Sequence, residues 1–298
     1  MSYPTTTILT LTLISSLALP NSINLPSFNL FERAIAQTSN LEQNEPDTMQ
    51  RLNELDDRGE TIMVRSHFVI SPEQIDEFIN RASEVATFTN GKDNPVLYRF
   101  FQNIEQPNQF VLVEEWANKD AMPSASSAIA QQRNTAHARD FQNQVTELTS
   151  EPVRVRIYQP ADEPAPEDGE VDRALVEAQP GATPTISQTR DRLAQYDMVE
   201  APFVLLVDVP VESGGAATMK DTAVRVQEAT LEEPGSIRYG YYQDVEQPTS
   251  FLLFEWWREF NDMAEHVELP HFQELMKTFG AVGGDGRTVA LYRPLPLP

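Results

Sequence analysis

The sequence predicts an α+β protein: two β-α-β-β-α-β repeats packed sheet to sheet within one chain. Three observations carry this expectation. "YRFFQNIEQPNQFVLVEEW" from Tyr98 returns as "YGYYQDVEQPTSFLLFEWW" from Tyr239, with close to half the positions identical. The same spacing holds upstream, where "RLNELD" at Arg51 meets "RLAQYD" at Arg192 and "IMVRSHFVI" from Ile62 meets "FVLLVDVPV" from Phe203. A match sustained over that length is a duplicated domain rather than a short stacking motif. The third observation is that the strand "FLLFEWW" is apolar on both faces, Phe251, Leu253, Glu255 and Trp257 lying on one and Leu252, Phe254 and Trp256 on the other. A sheet with one face in water alternates apolar with polar, so this sheet is covered on both sides.

Each element follows from its own residues. Ile62 to Ile70 is β-branched and apolar enough for a strand. "SPEQIDEFINRASEVATF" sets Ile75, Phe78, Ile79, Ala82, Val85 and Ala86 at helical spacing, with Ser71 as the expected N-cap, Pro72 in the first turn and "NG" at Asn90 as the expected end. The second copy of this helix is weaker, because Gly214 and Gly215 open it and only Ala216, Met219, Ala223 and Val226 keep the stripe. Two strands joined by a short Gln-Pro turn come next and read as a hairpin. Copy one then runs through a long helical stretch to "VRVRIYQP", and copy two through "REFNDMAEHVELPHFQELMKTF" to "TVALYRP".

The expected boundaries are 1–36 for a signal peptide or a disordered segment, 47–160 for repeat 1, 161–187 for an acidic, Pro-rich linker and 188–294 for repeat 2. Helices cover only one face of such a sheet. A bare second face of Val, Leu, Phe and Trp would cost on the order of 10 kcal/mol at about 25 cal/mol per Å². The sibling repeat can cover it, so the two sheets are expected to pack face to face with helices outside.

Composition sets the limits on function. The 298 residues carry a formal charge of −23, which argues against nucleic acid or an anionic membrane as partner. There is no cysteine, hence no disulfide and no thiolate nucleophile. "ILTLTLISSLAL" from Ile8 has the length of a signal-peptide core, with Ala34 and Ala36 as small residues for a peptidase. Export to the periplasm or outside the cell is expected, with a cytoplasmic chain as the alternative if this segment is no signal.

With "Y-x-Y-Y-Q-D", the "F-x-L-x-E-x-W" strand and "AEHVELPHFQEL" on the page, the chain resembles the antibiotic biosynthesis monooxygenase (ABM) family of the dimeric α/β-barrel superfamily. Ordinary members are single ferredoxin-like units that dimerise sheet to sheet, so the resemblance implies an intramolecular dimeric α/β barrel. It also implies a site near His266 and His271, and chemistry drawn from cofactor-independent oxidation of quinols or polycyclic phenols, haem degradation or isomerisation. The first strands lack the Asn that haem degradation would call for, so no haem is expected.

His271 is the leading candidate. Pro270 makes it an early helical residue, and a neutral imidazole beside a phenol is what proton abstraction needs. His266 joins it if the chain bends at Pro270. Tyr239, Tyr241, Trp257, Glu255 and Phe272 are the candidate substrate contacts, as aromatic walls and a partly buried carboxylate. In copy one Asp140 aligns with His271 and His137 falls out of phase, which makes that copy look degenerate. No metal-ligand spacing stands out, and neither metal nor cofactor is expected. The partner implied is a small aromatic molecule; the rival reading is a non-catalytic binding or structural module with a degenerate site.

Overall fold

In the computed structural model the described residues are 61–93, 95–117, 125–161, 186–284 and 287–297. The expected signal segment and most of the acidic linker lie outside them, as does "RLNELD" at Arg51. Repeat 1 runs β1 (Ile62–Val69), α1 (Ile75–Lys92), β2 (Leu97–Asn103), β3 (Gln109–Trp116), α2 (Ala125–Arg133), α3 (Ala136–Leu148) and β4 (Arg154–Pro160). After α4 (Ile186–Ala194), repeat 2 runs β5 (Phe203–Pro210), α5 (Ala216–Leu231), β6 (Ser236–Asp244), β7 (Ser250–Trp257), α6 (Phe260–His266), α7 (Pro270–Val282) and β8 (Thr288–Pro294).

The eight strands close into a barrel in the order β1-β3-β2-β8-β5-β7-β6-β4, every neighbouring pair antiparallel. Closure depends on two inter-repeat seams. β2 pairs with β8 through Gln102 and Arg293, and β4 pairs with β6 through Gln159 and Gln243. With eight strands the interior is just wide enough for side chains to fill. It holds Met63, Phe101, Val111, Val113, Tyr158, Val204, Leu206, Tyr242, Leu252, Phe254 and Tyr292, drawn from both repeats. The opposite faces pack under the helices as two further cores, one per repeat. The expectation that both faces of β7 are buried therefore holds, with Phe251, Leu253 and Trp257 under helices and Leu252 and Phe254 in the barrel.

Polar pairs cross the barrel as well. Arg65 on β1 meets Asp208 on β5 at 2.8 Å. Glu115 on β3 accepts from the Tyr242 hydroxyl at 2.9 Å and is paired with Arg238 on β6. Burial raises the Tyr242 phenol well above its ordinary range, and the Glu115 charge pushes it the same way, so the hydroxyl is a donor at any working pH.

Two local expectations are corrected, and a third gains a cause. Ser71 makes no side-chain cap; its carbonyl accepts the Gln74 N–H at 2.8 Å and Pro72–Gln74 is a 3-10 turn leading into α1. Asn90 does not end α1, which runs on to Lys92: its side chain donates to the carbonyls of Ala86 at 2.7 Å and Tyr98 at 2.9 Å, tying the helix to β2. The weak opening of α5 has a tertiary cause. A Cβ on Gly215 would come within 2.7 Å of the Val282 Cβ, so glycine lets the start of α5 meet the end of α7.

Candidate active site in the second repeat

The rings of His266 and His271 come together because the chain turns between α6 and α7, His266 closing one helix and Pro270 opening the next. Their centroids are 5.3 Å apart. Between them sits a residue that the sequence reading missed. Glu233 lies just past the end of α5, and its Oε1 is 2.8 Å from His266 Nδ1 and 2.7 Å from His271 Nε2. A carboxylate only accepts, so each nitrogen carries its proton there.

His266 is wholly buried, and burial pushes its imidazole below the ordinary range against the opposing pull of Glu233. The ring is neutral, and Nε2, also buried, has no hydrogen-bond partner. Around it stand Trp257 at 4.9 Å, Phe272 at 5.0 Å and Tyr239 at 5.5 Å between centroids. The side chains of His271 and Glu233 keep 18% and 13% exposure, which makes them the side from which the cluster is reached.

Tyr239 and Tyr241 share a hydroxyl contact of 3.3 Å beneath α5, and burial raises both phenols well above their ordinary range. Glu255 accepts from Trp257 Nε1 at 2.8 Å. Full burial pushes its carboxyl up to about 7, helped by the negative charge of Glu233. The structure thus brings His266, His271, Tyr239, Trp257 and Phe272 into one cluster. Tyr241 and Glu255 form its floor.

The family model for antibiotic biosynthesis monooxygenase matches residues 61–144 and 202–278. The chain belongs to that family. Among its relatives, the Bacillus subtilis protein named "Putative monooxygenase YcnE" is 26% identical over 94 residues, 32% of this chain and 92% of its own. An uncharacterized Synechocystis protein is 38% identical over 50 residues, 17% of this chain and 34% of its own. Solved structures described as putative monooxygenases from Fusobacterium nucleatum and Lactobacillus acidophilus superpose with TM-scores of 0.61 and 0.58 at 12% and 14% identity. Each covers 80% of this chain, and 94% and 95% of its own length, so both show the fold of the whole two-repeat body.

The two ABM repeats are not equivalent at this place, and the fold corrects how they align. The bridges Ile70–Thr149 and Val211–Gly283 fix the ends of α3 and α7 to matching strand residues. Both helices have 13 residues, with His137 second in one and His271 second in the other. His137, not Asp140, is the counterpart of His271. The same register sets Gln132 against His266. Gln132 is buried and donates to Thr89 Oγ1 at 3.1 Å, while His137 Nε2 lies 3.2 Å from Asp93 Oδ2, within ion-pair range but off the line of a hydrogen bond. Glu114, the counterpart of Glu255, accepts from Trp116 Nε1 at 3.2 Å and from Arg133 at 2.6 Å. Repeat 1 of this ABM chain has neutral Gln132 and an ion pair where repeat 2 has a second histidine and a titrating acid.

That difference yields a pH prediction. Between about 4.5 and 7 the unfolded chain releases the Glu255 proton while the folded chain keeps it, so stability falls as pH rises through that window. Glu255→Gln removes the dependence. It is expected to stabilise the chain at pH 8 by about 3 kcal/mol and to be near neutral at pH 4, read from urea unfolding at both pH values.

Proposed function

We propose that repeat 2 is the active half and catalyses cofactor-free oxygenation of an electron-rich phenol or quinol. The observation that carries the reading is the carboxylate of Glu233 held between two imidazoles. His271 donates Nε2–H to Glu233 and keeps Nδ1 to take the substrate's hydroxyl proton; the imidazolium so formed rests against a carboxylate, the arrangement that orients a general base and stabilises its charged form. His266 supplies the second N–H that fixes Glu233 in place.

The resulting phenolate passes an electron to dioxygen, and the radical pair combines at a ring carbon that bears hydrogen, ortho or para to an oxygen. One oxygen atom stays as a new carbonyl and the other leaves as water with the two hydrogens that the substrate has lost. The balance is ArH(OH) + O₂ → O=Ar=O + H₂O, with no outside reductant. Trp257, Tyr239 and Phe272 offer apolar walls that keep water from the anion.

Oxygen uptake by the full chain against a panel of phenols and quinols tests this. His271→Ala and Glu233→Gln are expected to lower kcat about 10²- to 10⁴-fold, the range for a positioned base. Uptake unchanged by either substitution would overturn the reading. One observation favours a second reading, a non-catalytic module: the rings of His266, Trp257, Tyr239 and Phe272 already pack on one another. That reading expects no uptake with any substrate of the panel.

A further inference from the structure

We infer that Glu233, His266 and His271 form a binding site for a divalent first-row transition cation. This goes beyond the oxygenase reading and does not depend on it. One oxygen and two imidazole nitrogens converge here, Oε1 lying 2.8 Å from His266 Nδ1 and 2.7 Å from His271 Nε2, with the three donor atoms all within 4.8 Å of one another. Donors around a tetrahedral zinc with 2.0–2.1 Å bonds stand about 3.3 Å apart, so each oxygen–nitrogen pair has to open by about half an ångström, while the two nitrogens already lie within 4.8 Å of each other. Two imidazoles and one carboxylate suit zinc, cobalt, nickel or iron rather than magnesium or calcium, which take oxygen. Three protein ligands leave a position for water, and the exposed edge of His271 and Glu233 gives the ion both a way in and that water.

The second, independent observation is His266 Nε2. In the metal-free arrangement Nδ1 carries the proton, and the buried Nε2 presents a lone pair to Trp257, Tyr239 and Phe272, where nothing donates to it. A cation on Nδ1 moves that proton to Nε2. An N–H is better placed there than a lone pair, since aromatic faces accept weak hydrogen bonds. The packing of these rings on His266 is no obstacle to an ion. The charge of −23 raises the local cation concentration. Cation and substrate proton would compete for the same groups, so metal-loaded chain is the inhibited form if the oxygenase reading holds.

The test is made without substrate, so its outcome is separate from that reading. The full chain is stripped with chelator and titrated with Co²⁺, followed by its visible absorption, then with Zn²⁺ in competition and Mg²⁺ as control. One-to-one saturable binding is expected, displaced by Zn²⁺ and not by Mg²⁺. His271→Gln and Glu233→Gln, both at partly exposed side chains, are expected to weaken it at least tenfold while His137→Gln leaves it unchanged. In parallel, Zn²⁺ should raise the thermal midpoint of the parent chain and not of the two variants. Absence of saturable binding, equal affinity in parent and both variants, or loss of binding in His137→Gln overturns the proposal.

Discussion

Replacing Arg133 with methionine is expected to lower the stability of the chain by about 3–5 kcal/mol in urea unfolding at pH 7. The reason is Glu114. Its side chain is 1% exposed, and its Oε1 depends on the Arg133 guanidinium at 2.6 Å, the Trp116 indole reaching only the other oxygen. Without Arg133 a buried charge is left uncompensated and must stay at full desolvation cost or take up a proton. Glu114→Gln combined with Arg133→Met should recover most of the loss, because replacing both members of a buried pair is often close to neutral. Repeat 2 shows the alternative at work, for Glu255 has Trp257 but keeps its proton to about 7. A single Arg133→Met chain as stable as the parent would show that Glu114 is solvated after all.

Cutting the backbone once between residues 162 and 185 is expected to leave one particle. The two pieces are held by the β2–β8 and β4–β6 seams and by the shared interior, in which Phe101 of one repeat packs against Phe254 of the other at 5.8 Å. Phe254→Ala in the uncut chain should cost about 3–5 kcal/mol, the usual loss for a large buried aromatic. In the cut protein that loss should appear as dissociation or aggregation, since each freed piece exposes its half of the interior. Gel filtration of the cut protein at micromolar concentration reads the result. Two well-behaved monomers of half size would contradict the closed barrel.

The fold was largely legible because its signals are local and repeated. The duplicated hairpin, the two-sided strand "FLLFEWW" and the apolar spacing of α1 each point to one answer. Helix ends were less legible, since Asn90 behaves as a tether to Tyr98 rather than a terminator, a long-range contact that a dipeptide cannot announce. The site was half visible. His266 and His271 stand close in sequence, but Glu233 comes 33 and 38 residues earlier, on another helix end. The signal available was the acidic "LEE" before Pro234-Gly235, which by itself reads as a solvated turn. The pairing of His137 with His271 was hidden because copy one is longer between β3 and its last helix. Aligning helix starts, "TAHARDF" on "LPHFQEL", would have recovered it.

The cross-barrel pairs have a consequence for how the molecule recognises itself. Arg65 and Asp208 occupy unlike positions: by the repeat spacing the counterpart of Arg65 is Leu206, and that of Asp208 is His67. In a two-fold homodimer the same patch on both subunits must be complementary to itself, so every contact between unlike positions occurs twice or not at all. Here a cation is written into one half and its anion only into the other. Two first halves meeting would bring no carboxylate to Arg65, and two second halves no guanidinium to Asp208. The duplicated chain thus carries a lock on one half and its key on the other, so that each half fits its sibling and not a copy of itself.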